Sequence, residues 1–275
     1  SAHHAKPRKL VAPSQRSVRL SPRSLMTSLS DSSVTLAPYF KLKDAAKFRE
    51  LWKSDFAGFK HKEDCVHYSF CFEGDARAHC REAYTSAATT LQHLGDVDAP
   101  LKAVLDPAIA DLERLEVHGP ASELEKLKEA LTPLGAKFFT CEWGFRTKKP
   151  AMEQDTVVHF YPYFKMKDEA AFKKIWQDAY AATQAAADAE KSFQYAFSFD
   201  GSSASCRESY GDADGILLHL KNVDGPFKAC LAVAELERLE VHGPPAELEK
   251  LKPALDPLGA QYFALEWGFR NATNQ

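Results

Sequence analysis

A histidine beside a carboxylate is the pairing that lets a protein move a proton near neutral pH. This chain carries that pairing twice at one spacing. Glu82, Tyr84 and His93 follow the pattern E-x-Y-x(8)-H, and Glu208, Tyr210 and His219 repeat it. So arranged, each histidine could act as general base toward a phenolic substrate, whose carbanion then meets dioxygen. Tyr84 or Tyr210 could orient a substrate oxygen by hydrogen bonding. The same three residue types can also simply satisfy one another inside a packed core.

Other chemistry finds less support. His118 and His242 sit at a strand end beside Gly-Pro with no further ligands at metal spacing, so they read as turn histidines bonded to backbone. No metal site is expected. Trp52, Trp176, Trp143 and Trp267 could line an aromatic pocket, although their spacing places them on core faces. There is no GxGxxG, no GxxxxGK[ST] and no GxSxG, so no nucleotide cofactor and no hydrolase elbow is expected. Of six cysteines, only Cys80 and Cys206 occupy equivalent places in the repeat, and no CxxC occurs. Reduced thiols and a reducing compartment follow.

The elements that must position the candidate residues recur as a tandem repeat. Over residues 111–146 against 235–270, 27 of 36 positions are identical, and LERLEVHGP recurs letter for letter at Leu112–Pro120 and Leu236–Pro244. In copy one, Val34 to Lys43 alternates as a strand with Val34, Leu36, Phe40 and Leu42 on one side. Asp44 caps a helix holding Ala45, Phe48, Leu51, Trp52 and Phe56 at helical spacing. Val66 to Phe72 is a strand with Val66, Tyr68, Phe70 and Phe72 on one face, and it turns at Glu73-Gly74-Asp75 into a hairpin partner carrying Glu82 and Tyr84. A helix with His93 follows, then a Pro-interrupted helical stretch and the strand Leu112 to His118. Ser122 to Glu125 reads as a capping box opening the next helix, which Pro133 and Gly135 end. Phe138 to Phe145 closes the sheet, with Phe139, Cys141, Trp143 and Phe145 expected on the helix side.

Each copy thus reads as βαββααβ with an additional strand, an α+β domain of ferredoxin-like type with helices on one face of the sheet. The bare faces of the two sheets would meet, giving an intrachain pseudo-dimeric α+β barrel. Arg114, Glu116 and Glu142 would then face Arg238, Glu240 and Glu266 across a charge-paired seam. The expected divisions are an arm over 1–33, domains over 34–146 and 157–270, a linker over 147–156 and a tail over 271–275.

The net charge of −3 conceals an uneven distribution. Residues 1–33 carry Lys6, Arg8, Lys9, Arg16, Arg19 and Arg23 against Asp31, a balance of +5, which leaves −8 on the remainder. An acidic body disfavours nucleic acid as a partner. No apolar run approaches the ~18 residues of a membrane-spanning helix, so attachment to a membrane would be peripheral. The Ser-rich basic arm has the composition of an organellar transit segment or its remnant, plastid ahead of mitochondrion, or of a docking extension.

The order of elements, the strand-borne Glu82-x-Tyr84 with His93 on the next helix, and the facing-sheet pairing resemble the antibiotic biosynthesis monooxygenase domain of the dimeric α+β barrel superfamily. The resemblance covers both copies but not the arm. It implies a small pocket in each domain between sheet and helices. For activity it implies cofactor-independent oxygenation of an electron-rich aromatic such as a quinol, haem cleavage, or no chemistry. Two functions remain open: an accessory subunit docked by residues 1–33 on a larger organellar assembly, such as a photosynthetic membrane complex, or a cofactor-independent monooxygenase.

Overall fold

In an open sheet, one face of each strand meets helices and the other meets water. Here both faces are buried. The first strand, β1 (Val34–Leu42), sends Val34, Leu36, Phe40 and Leu42 into a helix-covered core, and it sends Ala37 and Tyr39 into a second buried space. The structure is a computed structural model that describes residues 31–59, 64–185 and 191–272. The basic residues of the arm, Lys6 to Arg23, lie outside the described residues.

After β1 come α1 (Ala45–Phe59), β2 (Cys65–Glu73), β3 (Arg77–Tyr84), α2 (Ala87–Asp96), α3 (Asp98–Val104), β4 (Ala110–Gly119), α4 (Ala121–Leu131) and β5 (Lys137–Arg146). Copy two repeats the order as β6 (Val158–Met166), α5 (Glu169–Ala185), β7 (Ser192–Asp200), β8 (Ser203–Tyr210), α6 (Ala213–Asn222), α7 (Asp224–Cys230), β9 (Ala234–Gly243), α8 (Pro245–Leu255) and β10 (Gln261–Arg270). The ten strands close into one barrel in the order β1-β3-β2-β10-β9-β6-β8-β7-β5-β4. The two sheets therefore join edge to edge as well as face to face. At the seams, β5 pairs antiparallel with β7 and β10 with β2, so the last strand of each copy completes the sheet of the other and no strand edge is left open.

The seams also move side chains from where simple alternation puts them. The pairing of β5 with β7 slips between Cys141 and Trp143, and that of β10 with β2 slips between Leu265 and Trp267. A bulge of this kind reverses the face on which later residues point. Phe139 consequently points into the barrel, stacked on His118 with ring centroids 4.7 Å apart. Trp143 and Phe145 join the helix-side core of copy two, and Trp267 and Phe269 join that of copy one. Glu142 and Glu266 leave the expected charge seam. Glu142 lies 2.6 Å from Lys173 on α5, and Glu266 lies 2.7 Å from Arg49 on α1, each tied to the first helix of the opposite copy.

The seams demand glycine. A Cβ on Gly144 would stand 2.5 Å from the Ala196 Cβ, closer than real carbon atoms approach. Gly144→Ala is expected to cost about 1–3 kcal/mol, read as a lowered thermal midpoint. The same change at Gly95 on α2, where nothing lies within 4 Å, is expected to be neutral or mildly stabilising. Equal effects at both positions would show that the seam is not tightly packed.

The barrel interior is polar, as the seam pattern of β4 and β9 anticipates. Arg114 reaches Glu240 at 2.7 Å and Arg238 reaches Glu116 at 2.8 Å, while Tyr39 and Tyr163 donate hydroxyl hydrogen bonds to Glu240 and Glu116. The guanidiniums of Arg114 and Arg238 also lie over the rings of Tyr39 and Tyr163. His118 and His242 belong to this interior and are not backbone-bonded turn residues. His118 Nδ1 lies 2.8 Å from Ser198 Oγ, and His242 Nε2 lies 3.3 Å from Glu240. Two aspartates at matching places just ahead of β1 and β6 complete the space. Asp155, from the connecting segment, accepts from Ser69, Arg81 and Arg270. Asp31, assigned above to the arm, accepts from Arg146 and Gln194. The folded body thus starts at or before Asp31.

Candidate functional site

The site in each copy lies on the helix side of the sheet, between β3 and α2 in copy one and between β8 and α6 in copy two. Residues of a strand alternate between faces, so Glu82 and Tyr84 share a side while Arg81, just ahead of Glu82, points into the barrel. The helix bearing His93 is anchored at its N-terminus by two side chains. Ser86 caps it by accepting from the Thr89 amide, and Glu123 on α4 accepts from the Ala87 amide at 2.8 Å. Glu123 is part of the segment read as a capping box, yet the N-cap of α4 is Pro120, which makes no side-chain cap bond, and Ser122 lies inside the helix. In copy two Asp212 and Glu247 hold α6 in the same way.

The structure brings each sequence-selected trio together. His93 Nε2 lies 3.0 Å from Glu82 Oε2, and the Tyr84 hydroxyl donates to that same oxygen. In copy two His219 Nε2 lies 3.1 Å from Glu208 Oε2, with the Tyr210 hydroxyl at 2.9 Å. All six side chains are buried. Burial, then the neighbouring carboxylates, push the Tyr84 and Tyr210 phenols well above their ordinary range, so both remain protonated donors. The tyrosines consequently serve the carboxylates. Glu and His line the cavity in each copy, and the tyrosine, bonded to the carboxylate, is not among the lining residues.

The cavities differ. In copy one the space bounded by Glu82, His93, Trp52, Phe40 and leucines of α2, α3 and β4 measures about 50 Å³. In copy two the space bounded by Glu208, His219, Trp176, Phe160, Phe164 and Phe227 measures about 400 Å³, with Asp224 and Lys228 also on its wall. Sequence reasoning missed Phe160, Phe227, Asp224 and Lys228. The signal available was that Leu36 and Leu101 of copy one become Phe160 and Phe227 in copy two. Trp52 and Trp176 both pack and line the cavities, whereas Trp143 and Trp267 only pack, against aromatic residues of the opposite copy.

The cysteines offer no nucleophile. None of the six is in a disulfide, and burial pushes the Cys71 thiol up to about 12 and the Cys230 thiol up to about 11. Among the described residues no group of three or more His, Cys, Asp or Glu could hold a metal ion, and no helix is long and apolar enough to cross a membrane.

A closed barrel made from two five-stranded sheets, each with helices and a buried site on its outer face, is the architecture of the dimeric α+β barrel superfamily. The chain has that fold, with both halves of the barrel joined in tandem in one polypeptide. A candidate monooxygenase from Fusobacterium nucleatum matches with a TM-score of 0.54 and 14% identity, over 78% of this chain and 91% of its own. MupZ from Pseudomonas fluorescens is 34% identical over 41% of this chain and 92% of its own, with a TM-score of 0.35. A candidate monooxygenase from Lactobacillus acidophilus matches at 12% identity over 76% and 91%, with a TM-score of 0.49. No protein-family model matches the sequence, and a comparison with curated proteins gives no match.

Proposed function

We propose that this chain is a cofactor-independent monooxygenase acting on a small electron-rich aromatic, such as a quinol. The observation that carries the reading is a buried Glu–His couple set into the wall of an otherwise largely apolar cavity. A couple of this kind takes a proton from a phenol or from the carbon activated by it. The apolar walls then shelter the carbanion from water. Dioxygen adds to that carbon to give a hydroperoxide of the keto form, and loss of water leaves a new carbonyl: the ring C–H, the phenol's O–H hydrogen and O2 become C=O and H2O, while the phenol oxygen is left as a ketone. Tyr210 fixes Glu208, and Glu208 fixes the His219 ring, so the base is oriented before substrate arrives.

The test is oxygen uptake with 1,4-naphthohydroquinone, corrected for the uncatalysed rate. His219→Ala is expected to lower the enzymatic rate by about 10²–10⁴-fold; an unchanged rate would sink the reading. A chain lacking residues 1–30 is expected to keep the rate of the intact chain, because it retains Asp31, which is tied into the barrel through Arg146.

The nearly filled cavity of copy one favours a second reading, an accessory subunit with vestigial sites. Docking through the basic arm on a larger plastid or other organellar assembly belongs to that reading. It is supported if the intact chain takes up no oxygen and co-migrates with a large complex from its organelle, while the chain lacking residues 1–30 does not.

A further inference from the structure

We propose that the chain is functionally monovalent: copy two alone binds ligand, a planar molecule of two or three fused rings with one hydroxyl, and the Glu82–His93 couple of copy one is a structural replica. This rests on the reading of the cavity given above.

The two copies keep the same trio at nearly the same distances, 3.0 and 3.1 Å for the His–Glu contacts, so the trio does not distinguish them. What differs is the core around it. In copy one the apolar side chains on the helix side form a single continuous cluster, in which Leu36, Leu115 and Leu131 pack together with Phe40, Trp52 and Phe70. In copy two the equivalent residues fall into two separate clusters. One contains Phe164, Trp176 and Phe197, and the other contains Phe160, Leu239 and Leu255. The cavity of about 400 Å³ lies between them, walled by members of both. The matching space among the described residues of copy one is about 50 Å³, with room for a few waters at most.

Smaller side chains do not explain the space. At two wall positions copy two carries the bulkier residue, Phe160 where copy one has Leu36 and Phe227 where it has Leu101. The extra room therefore comes from how the elements around the cavity are placed and not from smaller residues. The replacements change the wall's chemistry as well. Phe160, Phe164, Trp176 and Phe227 present ring faces suited to a flat aromatic body. Glu208 and His219 are the buried polar groups of the wall and are suited to one hydroxyl; Asp224 and Lys228, paired at 2.7 Å, are exposed and form the mouth. The volume falls in the range of small-ligand sites, about 300–1,000 Å³.

The experiment is calorimetric titration of the full chain with 2-naphthol, which supplies the rings and the hydroxyl and is read by binding alone. One naphthol per chain is expected. Val223→Phe, which fills the wall of the copy-two cavity, is expected to weaken binding at least tenfold. Val97→Phe, the matching change in copy one, is expected to leave it unchanged. Two naphthols per chain, an equal loss from Val97→Phe, or no binding at all would overturn the proposal. The stoichiometry of the unaltered chain decides the matter even if either variant fails to fold. Oxygen uptake is measured separately. One bound naphthol in a chain that consumes no oxygen would leave monovalency standing and remove the monooxygenase reading.

Discussion

Asp155→Ala is expected to destabilise the chain by about 3–5 kcal/mol, the cost of leaving buried charge without its partner. At roughly 2–4 °C per kcal/mol for a chain of this size, the thermal midpoint should fall by on the order of 10 °C. Asp155 is almost wholly shielded and meets two guanidiniums at once, Arg270 at 3.0 Å and Arg81 at 3.1 Å, while Ser69 donates at 2.7 Å. Burial alone would raise its carboxyl, but Arg270 and Arg81 outweigh that and hold it below the usual carboxylate range. Without it, two cations face one another inside the barrel, with His159 beside Arg270 and unable to neutralise either. Because Asp155 comes from the connecting segment, Arg81 from copy one and Arg270 from copy two, the residue also fastens the copies together. Asp155→Asn keeps the shape and removes the charge, and it should recover only a minor part of the loss. Glu125→Ala, which breaks an exposed pair with Lys128, is the comparison and should change stability by less than about 0.5 kcal/mol. A midpoint for Asp155→Ala within 2 °C of the unaltered chain would mean that water reaches these guanidiniums.

Asp155 marks the limit of what the sequence makes legible. The repeat exposes two equal domains, and alternation in β4 puts Arg114 and Glu116 opposite Leu115 and Val117, which is enough to anticipate the ion pairs across the barrel. The Glu82, Tyr84 and His93 trio is legible for the same reason, since it recurs intact. Asp31 and Asp155 were overlooked although they occupy matching places ahead of Val34 and Val158, because the residues between them and those strands differ. Arg81 and Arg207 were within reach: they lie between Cys80 and Glu82 and between Cys206 and Glu208, so a strand that sends its glutamate to the helices must send its arginine into the barrel. The bulges were out of reach. A slip at Cys141 depends on how β5 meets β7 of the other copy, and no local pattern encodes that register. The unequal cavities were hidden too, since volume depends on how the surrounding elements are placed and the relevant Leu-to-Phe changes point the opposite way.

Acid should open the barrel at a pH where most proteins are still stable. Burial, reinforced by the Arg207 guanidinium, lowers His118 to about 4; burial likewise lowers His242 to about 4, even though the neighbouring Glu240 opposes the shift. The same direction holds for His67, His79 and His159, all shielded and close to arginines or to each other. A histidine whose folded pKa lies below its unfolded value of about 6.5 costs nothing above that pH, because both states are neutral. As pH falls from 6.5 toward 4, the unfolded chain takes up protons that the folded chain refuses. Stability then drops by about 1.4 kcal/mol per pH unit for each such histidine. Glu116 and Glu240 act in the same direction lower down. Burial would raise them, but contacts with His118 and His242 and the arginines Arg238 and Arg114 hold both well below the usual range, so their contribution disappears only below about pH 4.5. His118 and His242 alone would remove on the order of 4 kcal/mol between pH 6.5 and 5, a large part of the 5–15 kcal/mol that holds a typical protein folded. The thermal midpoint should therefore fall by on the order of 10 °C over that interval. In a chain carrying both His118→Gln and His242→Gln the slope should flatten, whatever the midpoint at neutral pH. A midpoint that stays level from pH 7 to 5 in the unaltered chain would show that these rings take up protons while the barrel is closed.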